Sequence, residues 1–269
     1  MFSKGRYENI FEVRKGREMS VKPFPTRTTK IKRRRKSISL PIPSIREAVL
    51  EDTQSFHGEV YIVGGGPSLK NFDFSTLTNK CTIVVNKSIF HTPNPNYFIS
   101  VDYTFLQKVR TKNFHSIPVK KFFVADFSHP FLKEVNGQIT DTRYNLTYDL
   151  RDYNLLIRAY KREGIGYTFK DFRTGRNSGF CALQLAVIFD FKKIYLLGID
   201  LDKQRQTHYH EGYGERLNSF NSKLDEYYNY FKIGLEQLKR ERPDIQVISC
   251  SPSSRLNQTI EYQDVRNLL

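Results

Sequence analysis

The feature of this sequence that most constrains its fold is a series of short apolar runs, each followed by a turn or a helical pattern. The clearest is KKIYLLGID, which is almost entirely apolar from Ile194 to Ile199, as expected of a strand buried on both faces. Similar runs are VYIV, CTIVV, NYFIS, KKFFVA and IQVIS, and NSGFCALQLAVIFDF has the spacing of a packed helix. Strands alternating with helices predict an α/β fold with a mostly parallel sheet and helices on both faces.

The positive charge of the chain is concentrated before the first of these runs. Residues 1–50 contain 14 Lys or Arg and 4 Glu, so they carry +10 of the net charge of +15. Six positive charges fall within residues 30–36, between proline-containing stretches. We therefore predict a basic extended or disordered arm over residues 1–45. This arm could be a solvated tail, a segment that binds a polyanion (nucleic acid or an anionic surface), or an arm that docks on another protein. Residues 46–269 are predicted to form one Rossmann-like domain, in which residues 136–176 could be a lid or an insert.

Composition excludes several classes of protein. An apolar share of 39% with 14% aromatic residues is that of a globular chain. No stretch approaches the roughly 18–20 apolar residues of a transmembrane segment, and the charged start lacks the apolar region of a secretory signal. Cys81, Cys181 and Cys250 are widely spaced and form no CxxC pair, which predicts a reducing compartment, the cytoplasm, and no zinc site.

The stretch VYIVGGGPSL, residues 60–69, is the first candidate site. Glycines at the end of the first strand of an α/β sheet can free main-chain amides to bind a phosphate, and a following helix N-terminus adds positive charge. The stretch is neither a P-loop nor GxGxxG. Its alternative interpretation is a tight turn that requires positive φ. We expect the three glycines to allow close approach of a ligand.

Polar residues follow the next two strands. Asn86 ends the second strand and could contact a nucleobase or a phosphate, or could simply form the turn. Asp102 ends the third strand, where a carboxylate could bind a ribose or a metal, or could cap a helix. The carboxyl ends of parallel strands share one edge of the sheet, so both residues are expected near the glycine turn.

Two later stretches add polar groups to the same edge. Asn177, Ser178 and Gly179 open the helix NSGFCALQLAV, so they either face a ligand or serve only as its N-cap. Asp200 and Asp202 follow the buried strand that ends at Ile199. Ligand hydroxyl or phosphate groups could also contact a serine-rich loop after the last strand, formed by Ser251, Ser253 and Ser254.

The loop THYHEGYGE supplies the candidate catalytic residues. Histidine titrates near neutral pH, so His208 or His210 could act as a general base. His208, His210 and Glu211 could instead bind a metal, or could be ordinary residues of a surface loop. Tyr209 and Tyr213 flank the histidines.

These pieces together resemble a known family. GGGPSL at 64–69, Asn86, NSGFCALQLAVIFDFKKIYLLGID at 177–200 and CSPSS at 250–254 are similar to the bacterial sialyltransferases of glycosyltransferase family 42. They also resemble a related group typified by archaeal 6-hydroxymethylpterin diphosphokinase, which includes flagellin-modification proteins. The resemblance covers roughly residues 58–260.

The sialyltransferase resemblance implies a nucleotide-sugar donor of the CMP-sugar type and transfer with inversion that needs no metal. A histidine, His208 or His210, would deprotonate the hydroxyl of a glycan or other acceptor, and Tyr209 or Tyr213 would stabilise the departing phosphate. The residues predicted to bind the donor are Gly64, Gly65, Gly66, Pro67, Ser68, Asn86, Asp102, Asn177, Ser178, Gly179, Asp200 and Ser253.

Two alternatives to a glycosyltransferase follow from the same sequence. His208 comes only eight residues after Asp200, and this compact loop is more similar to the diphosphokinase group, which implies a Mg²⁺-dependent kinase with a pterin-like acceptor. The second alternative is a non-enzymatic, virion or nucleic-acid-associated protein that reuses the fold and binds nucleic acid through residues 30–36.

Overall fold

A computed structural model of the chain describes residues 55–102, 105, 113–128, 130–135, 138–142, 146–149, 153–202 and 223–269. The predicted arm, residues 1–45, lies outside the described residues, so its role stays a prediction. The predicted catalytic residues also lie outside them, since residues 203–222 include His208, Tyr209, His210 and Tyr213.

The centre of the fold is an eight-stranded sheet in which every neighbouring pair of strands is parallel. Its strands are β1 (Glu59–Val63), β2 (Thr82–Val85), β3 (Tyr97–Ser100), β4 (Lys120–Asp126), β8 (Leu155–Ala159), β9 (Lys193–Leu197), β10 (Gln246–Ser249) and β11 (Glu261–Tyr262). Their order across the sheet is β11-β10-β9-β1-β2-β3-β4-β8. The predicted parallel α/β, Rossmann-like fold is therefore confirmed.

The strand order reverses between β1 and β9. From β1 the chain adds β2, β3, β4 and β8 on one side, and then returns to place β9, β10 and β11 on the other. In open α/β sheets ligands bind beyond the carboxyl ends of the strands, where such a reversal opens a crevice. A ligand site is therefore expected at the turns after β1 and β9.

Both faces of the sheet are buried. Along β1, Val60 and Ile62 belong to the core on one face, and Tyr61 and Val63 belong to the core on the other. Two α-helices in the described part of the chain, α1 (Ser178–Ile188) and α2 (Leu224–Glu241), pack on the first face. The second face is covered by 3₁₀ helices that contribute Leu69, Leu77 and Ile89.

The two α-helices differ in how they are buried. Ten of the eleven residues of α1 are buried, as expected of a helix that is apolar on all sides and packs against β1, β2 and β3. In α2 the buried residues Leu224, Phe231, Leu235 and Leu238 follow a helical spacing, so only one face is in the core. None of the helices in the described residues has the length and apolar character needed to cross a membrane.

A small antiparallel sheet is inserted between β4 and β8. It consists of β5 (Leu132–Val135), β6 (Gln138–Asp141) and β7 (Leu146–Asp149). Residues 136–176, for which the sequence predicts a lid or an insert, contribute β6 and β7 to this sheet but also β8 to the large sheet. A lid function for this segment stays a prediction.

Candidate functional site

The glycine turn after β1 packs against the end of β9. The Gly64 amide donates to the Leu197 carbonyl at 2.7 Å, and the Gly66 amide donates to the Gly198 carbonyl at 2.8 Å. A Cβ atom on Gly64 would lie 2.4 Å from the Gly198 carbonyl oxygen, which is too close for any residue with a side chain. The prediction that both amides are free for a phosphate is therefore wrong, because the chain's own backbone occupies them.

The alternative interpretation of this turn is also wrong. None of Gly64, Gly65 and Gly66 has a positive φ, whereas Gly198, which packs against this turn, does. The close approach of another strand end, not a left-handed backbone, explains why Gly64 and Gly66 must lack a side chain. Within the described residues the Gly65 amide has no hydrogen-bond partner, so it is the one amide of the three that could still meet a ligand.

Ser68 and Asp200 form the centre of a buried network that joins the turns after β1, β9 and β10. The Ser68 amide and hydroxyl donate to the two carboxylate oxygens of Asp200 at 2.9 and 2.6 Å. The Ser251 hydroxyl accepts from the Gly198 amide at 3.0 Å and lies 3.0 Å from the Ser68 hydroxyl. Asp200 is only 4% exposed. This network holds the strand ends together, and a ligand contact for Ser68 or Asp200 stays a prediction.

The serine loop after β10 contributes differently at each position. Ser254 donates to the Ile199 carbonyl at 2.7 Å and caps a short 3₁₀ helix, so its hydroxyl is engaged. The Ser253 hydroxyl is buried and has no hydrogen-bond partner within the described residues. A buried polar group without a partner is costly, which makes Ser253 a better candidate than Ser254 for a ligand contact.

Asn86 connects the ends of β2 and β3 with the start of α1. Its side-chain oxygen accepts from the Ser100 hydroxyl at 2.8 Å and from the Ser178 hydroxyl at 3.4 Å. The Ser178 hydroxyl in turn accepts from the Val101 amide at 3.1 Å. Asn86 has a left-handed backbone with φ of +50°, which turns its side chain away from the course of β2. Within the described residues its side-chain NH₂ has no partner.

The N-terminus of α1 presents unused amides at this point. The Asn177 side chain caps the helix by accepting from the Phe180 amide at 3.1 Å. The amides of Ser178 and Gly179 make no hydrogen bond to any described residue. Helix N-termini carry partial positive charge and attract anions, so these two amides and the Asn86 amide group form a candidate anion site. The predicted capping and ligand-facing roles of this segment are therefore compatible with each other.

Ile199 lies between the glycine turn and the α1 N-terminus. A Cβ atom on Gly64 would come 2.5 Å from its Cδ1 atom, and one on Gly179 would come 2.8 Å from the same atom. The two corners are thus neighbours, but a buried side chain, 7% exposed, fills the space that separates them. The glycine turn and the helix cap therefore do not enclose one open pocket, and the available groups lie on the α1 side.

The approach to the α1 N-terminus is lined by side chains that the sequence interpretation missed. Arg176 pairs with Glu226 at 3.1 Å, and the Tyr230 hydroxyl donates to the same carboxylate at 3.2 Å. Burial raises the pKa of Tyr227, the charge of Arg176 lowers it, and the charges of Glu226 and Asp102 raise it further. Only the position of Arg176 directly before the cap could have indicated its role from the sequence.

Metal ligands are not clustered in the described part of the chain. No group of three or more His, Cys, Asp or Glu residues is placed there to hold an ion. Since His208, His210 and Glu211 lie in residues 203–222, the magnesium-dependent alternative stays a prediction.

Comparisons with known proteins identify no family for this chain. No family model and no curated protein matches it. Among solved structures it is similar to the sialyltransferase CstII from Campylobacter jejuni, in complex with a substrate analogue, cytidine-5'-monophosphate. The identity is 17%, the TM-score is 0.44, and the match covers 76% of this chain and 84% of that chain. At this identity and TM-score the likeness carries no argument about the site or its chemistry.

Proposed function

We propose that this chain is a glycosyltransferase that uses a nucleotide-activated sugar, with the donor phosphate bound at the N-terminus of α1. The observation that carries the proposal is the network in which the Asn86 side-chain oxygen accepts from Ser100 and Ser178. Among the described residues, the Asn86 NH₂ group and the first two α1 amides have no hydrogen-bond partner, and free donors at a helix N-terminus favour a negatively charged ligand.

The donor that best fits these groups is a nucleoside monophosphate sugar of the CMP type. A single bridging phosphate can be bound by two helix amides and one side-chain amide, each charge-assisted hydrogen bond contributing about 1.5–3 kcal/mol. The sialyltransferase resemblance of residues 58–260 supports the same donor class, and a glycan or other hydroxyl compound would be the acceptor. Asp102, which follows β3, would contact the ribose.

We assign general base catalysis to residues 203–222. His208 or His210 would remove the proton of the acceptor hydroxyl, an effect of roughly 10²–10⁴-fold on rate. Tyr209 or Tyr213 would donate a hydrogen bond to the departing phosphate. Replacing both histidines by Ala should abolish turnover and spare donor binding, and normal turnover of the double variant would contradict the assignment.

A thermal-shift comparison of nucleotides tests the donor class. We expect CMP and CMP-sialic acid to raise the unfolding temperature with or without Mg²⁺, since a ligand at 100 times its Kd stabilises the native state by about 2.7 kcal/mol. UDP, GDP and ATP should have smaller effects. Stabilisation by ATP only in the presence of Mg²⁺ would favour a diphosphokinase, and no response to any nucleotide would contradict the proposed function.

A further inference from the structure

Beside the candidate donor site, β4 and β8 extend farther than β3 at the carboxyl edge of the sheet. Ser100, the last residue of β3, pairs with Phe123 of β4, and β4 continues to Asp126. Asp126 pairs in turn with Ala159, the last residue of β8. At about 3.3 Å per residue, the ends of β4 and β8 project about 10 Å beyond the end of β3. They form a wall next to the Asn86–Ser100 hydrogen bond.

The top of this wall carries two stacked aromatic rings. Phe127 follows β4 and Tyr160 follows β8, and their ring centroids lie 5.7 Å apart at an interplanar angle of 26°. Phe127 packs against the apolar cluster that includes Phe123 and Ala125, which fixes the stack in place. Tyr160 is 62% exposed, although burying an aromatic ring is favourable. The result is an anchored aromatic platform with a free face.

Charged groups accompany the aromatic platform. Arg162 donates to the Asp126 carboxylate at 3.2 Å, and Asp126 itself is only 6% exposed. Burial raises the pKa of Tyr230, Glu226 raises it further, and the charge of Arg162 lowers it. Tyr230 donates to Glu226, which pairs with Arg176 directly before the α1 cap.

We propose that the Phe127–Tyr160 platform binds a pyranose ring of the acceptor glycan, an inference that rests on the proposed glycosyltransferase function. The negative face of an aromatic ring attracts the polarised C–H groups on the apolar face of a sugar. Arg162 pairs with Asp126, the residue directly before Phe127, and a guanidinium can donate to sugar hydroxyl groups. Two rings are far smaller than the roughly 800 Å² per partner of a stable protein interface, but they match a single sugar ring.

The absence of tryptophan from the chain provides a direct test. Tyr160→Trp places one fluorophore at the platform, and its emission should change saturably on titration with lactose, maltose or cellobiose. The matched control is Tyr262→Trp, because Tyr262 is also exposed, at 40%, but lies on β11 at the opposite end of the sheet. An equal response from both variants, or none from Tyr160→Trp at an unchanged unfolding temperature, would overturn the inference.

The same variant separates this inference from the proposed function. If CMP stabilises the Tyr160→Trp protein but no sugar changes its emission, the platform assignment fails and the donor assignment stands. If sugars change the emission but no nucleotide stabilises the protein, the donor assignment fails and the platform assignment stands. With an active enzyme, Tyr160→Ala should raise the acceptor KM at least about tenfold and leave the donor KM unchanged, and Tyr160→Phe should restore the acceptor KM. A donor KM that rises equally would contradict the assignment.

Discussion

Asn86 is the residue on which the proposed site depends most. A left-handed backbone is unusual for a residue with a side chain, although Asn adopts it more readily than most. Here that backbone lets one amide oxygen accept from the ends of two other elements, through Ser100 and Ser178. A strand-end residue that only formed a turn would not need these partners.

Asn86→Ala should weaken CMP binding at least about tenfold, since it removes a ligand contact and leaves two hydroxyl groups without their acceptor. Asn94→Ala is the matched control, because Asn94 also has a left-handed backbone, with φ of +42°, but is exposed before β3. Both variants share the backbone cost of about 1–2 kcal/mol. Titration calorimetry with CMP measures the difference, and equal affinities would remove Asn86 from the site.

At the scale of elements, an ion-pair network joins α1, β9 and α2 at the edge of the sheet opposite the candidate site. Asp190 follows α1, Lys192 precedes β9, and Arg242 and Asp244 follow α2. Lys192 and Arg242 each contact both aspartates, at 2.6–2.8 Å. The network therefore fixes where two helices end relative to the strand that leads into Gly198 and Asp200.

The network makes stability depend on pH in the acid range. Hydrogen bonds from Arg242 and Lys192 lower the pKa of Asp244. Burial raises the pKa of Asp190, but hydrogen bonds from Lys192 and Arg242 outweigh the effect of burial, so the pKa of Asp190 is also lowered. A carboxylate whose pKa is lower in the folded than in the unfolded state stabilises the protein when the pH is above its unfolded pKa, about 4. This stabilisation is lost as the pH falls below that value.

Arg242→Gln should therefore make the loss of stability in acid shallower. Urea midpoints measured between neutral pH and about pH 3 should fall less steeply in this variant than in the unchanged protein. Lys232→Gln is a matched control, because Lys232 lies on the exposed face of α2 and its ion pair with Glu236 is long, at 3.9 Å. Identical pH profiles for Arg242→Gln and the unchanged protein would contradict the role of the network.

At the scale of the whole molecule, the three cysteines report on global folding. Cys81, Cys181 and Cys250 are all free and buried, at no more than 6% exposure. Burial raises the pKa of Cys181, with Asp126 adding to the effect, and burial together with Asp264 raises the pKa of Cys250 to about 12. Thiolates are the reactive form, so the folded protein holds its thiols unreactive.

We expect these thiols to react with DTNB only as the protein unfolds. At about pH 8 the native chain should show almost no labelling, whereas three thiols should react in concentrated urea. Labelling rates across a urea series should follow the global unfolding transition. Rapid stoichiometric labelling of the native protein would mean that at least one cysteine is accessible.

The basic run at residues 30–36 predicts a salt-dependent interaction of the whole chain with single-stranded nucleic acid. If all six positive charges contact phosphates, the logarithm of the binding constant should fall with the logarithm of salt concentration with a slope of about −4. Replacing those residues by Gln should flatten the slope and leave CMP affinity unchanged. Replacing the exposed Lys232, Lys239 and Arg240 of α2 is the control, and an unchanged slope in the arm variant would contradict the assignment.

Some of the architecture could be predicted because it depends on local pattern. All six predicted strands occur in the large sheet, and the helix predicted from NSGFCALQLAV is α1. β8 and β5–β7 were not predicted, because LLIRA and its neighbours mix charged and apolar residues without a clear period. β11 has only two residues, which is too short for any pattern.

The candidate site could be located from the sequence but not assembled from it. Asn86, Asp102 and Ser178 were predicted at the correct edge, because the ends of parallel strands must meet there. The glycine turn was misread, since three glycines fit a ligand and a neighbouring backbone equally well. Arg176, Ser100 and Tyr227 were missed because their roles depend on partners far away in the chain.

The sequence alone determined the parallel sheet, its buried strands and the edge at which polar residues collect, because each follows from periodicity and from the geometry of strand ends. Only the tertiary structure decided which polar groups remain available. Contacts between distant segments occupy the amides of Gly64 and Gly66 with hydrogen bonds and place Ile199 between the glycine turn and the N-terminus of α1. Hydrogen-bond partners and steric contacts are properties of three-dimensional packing, so no local pattern can specify them.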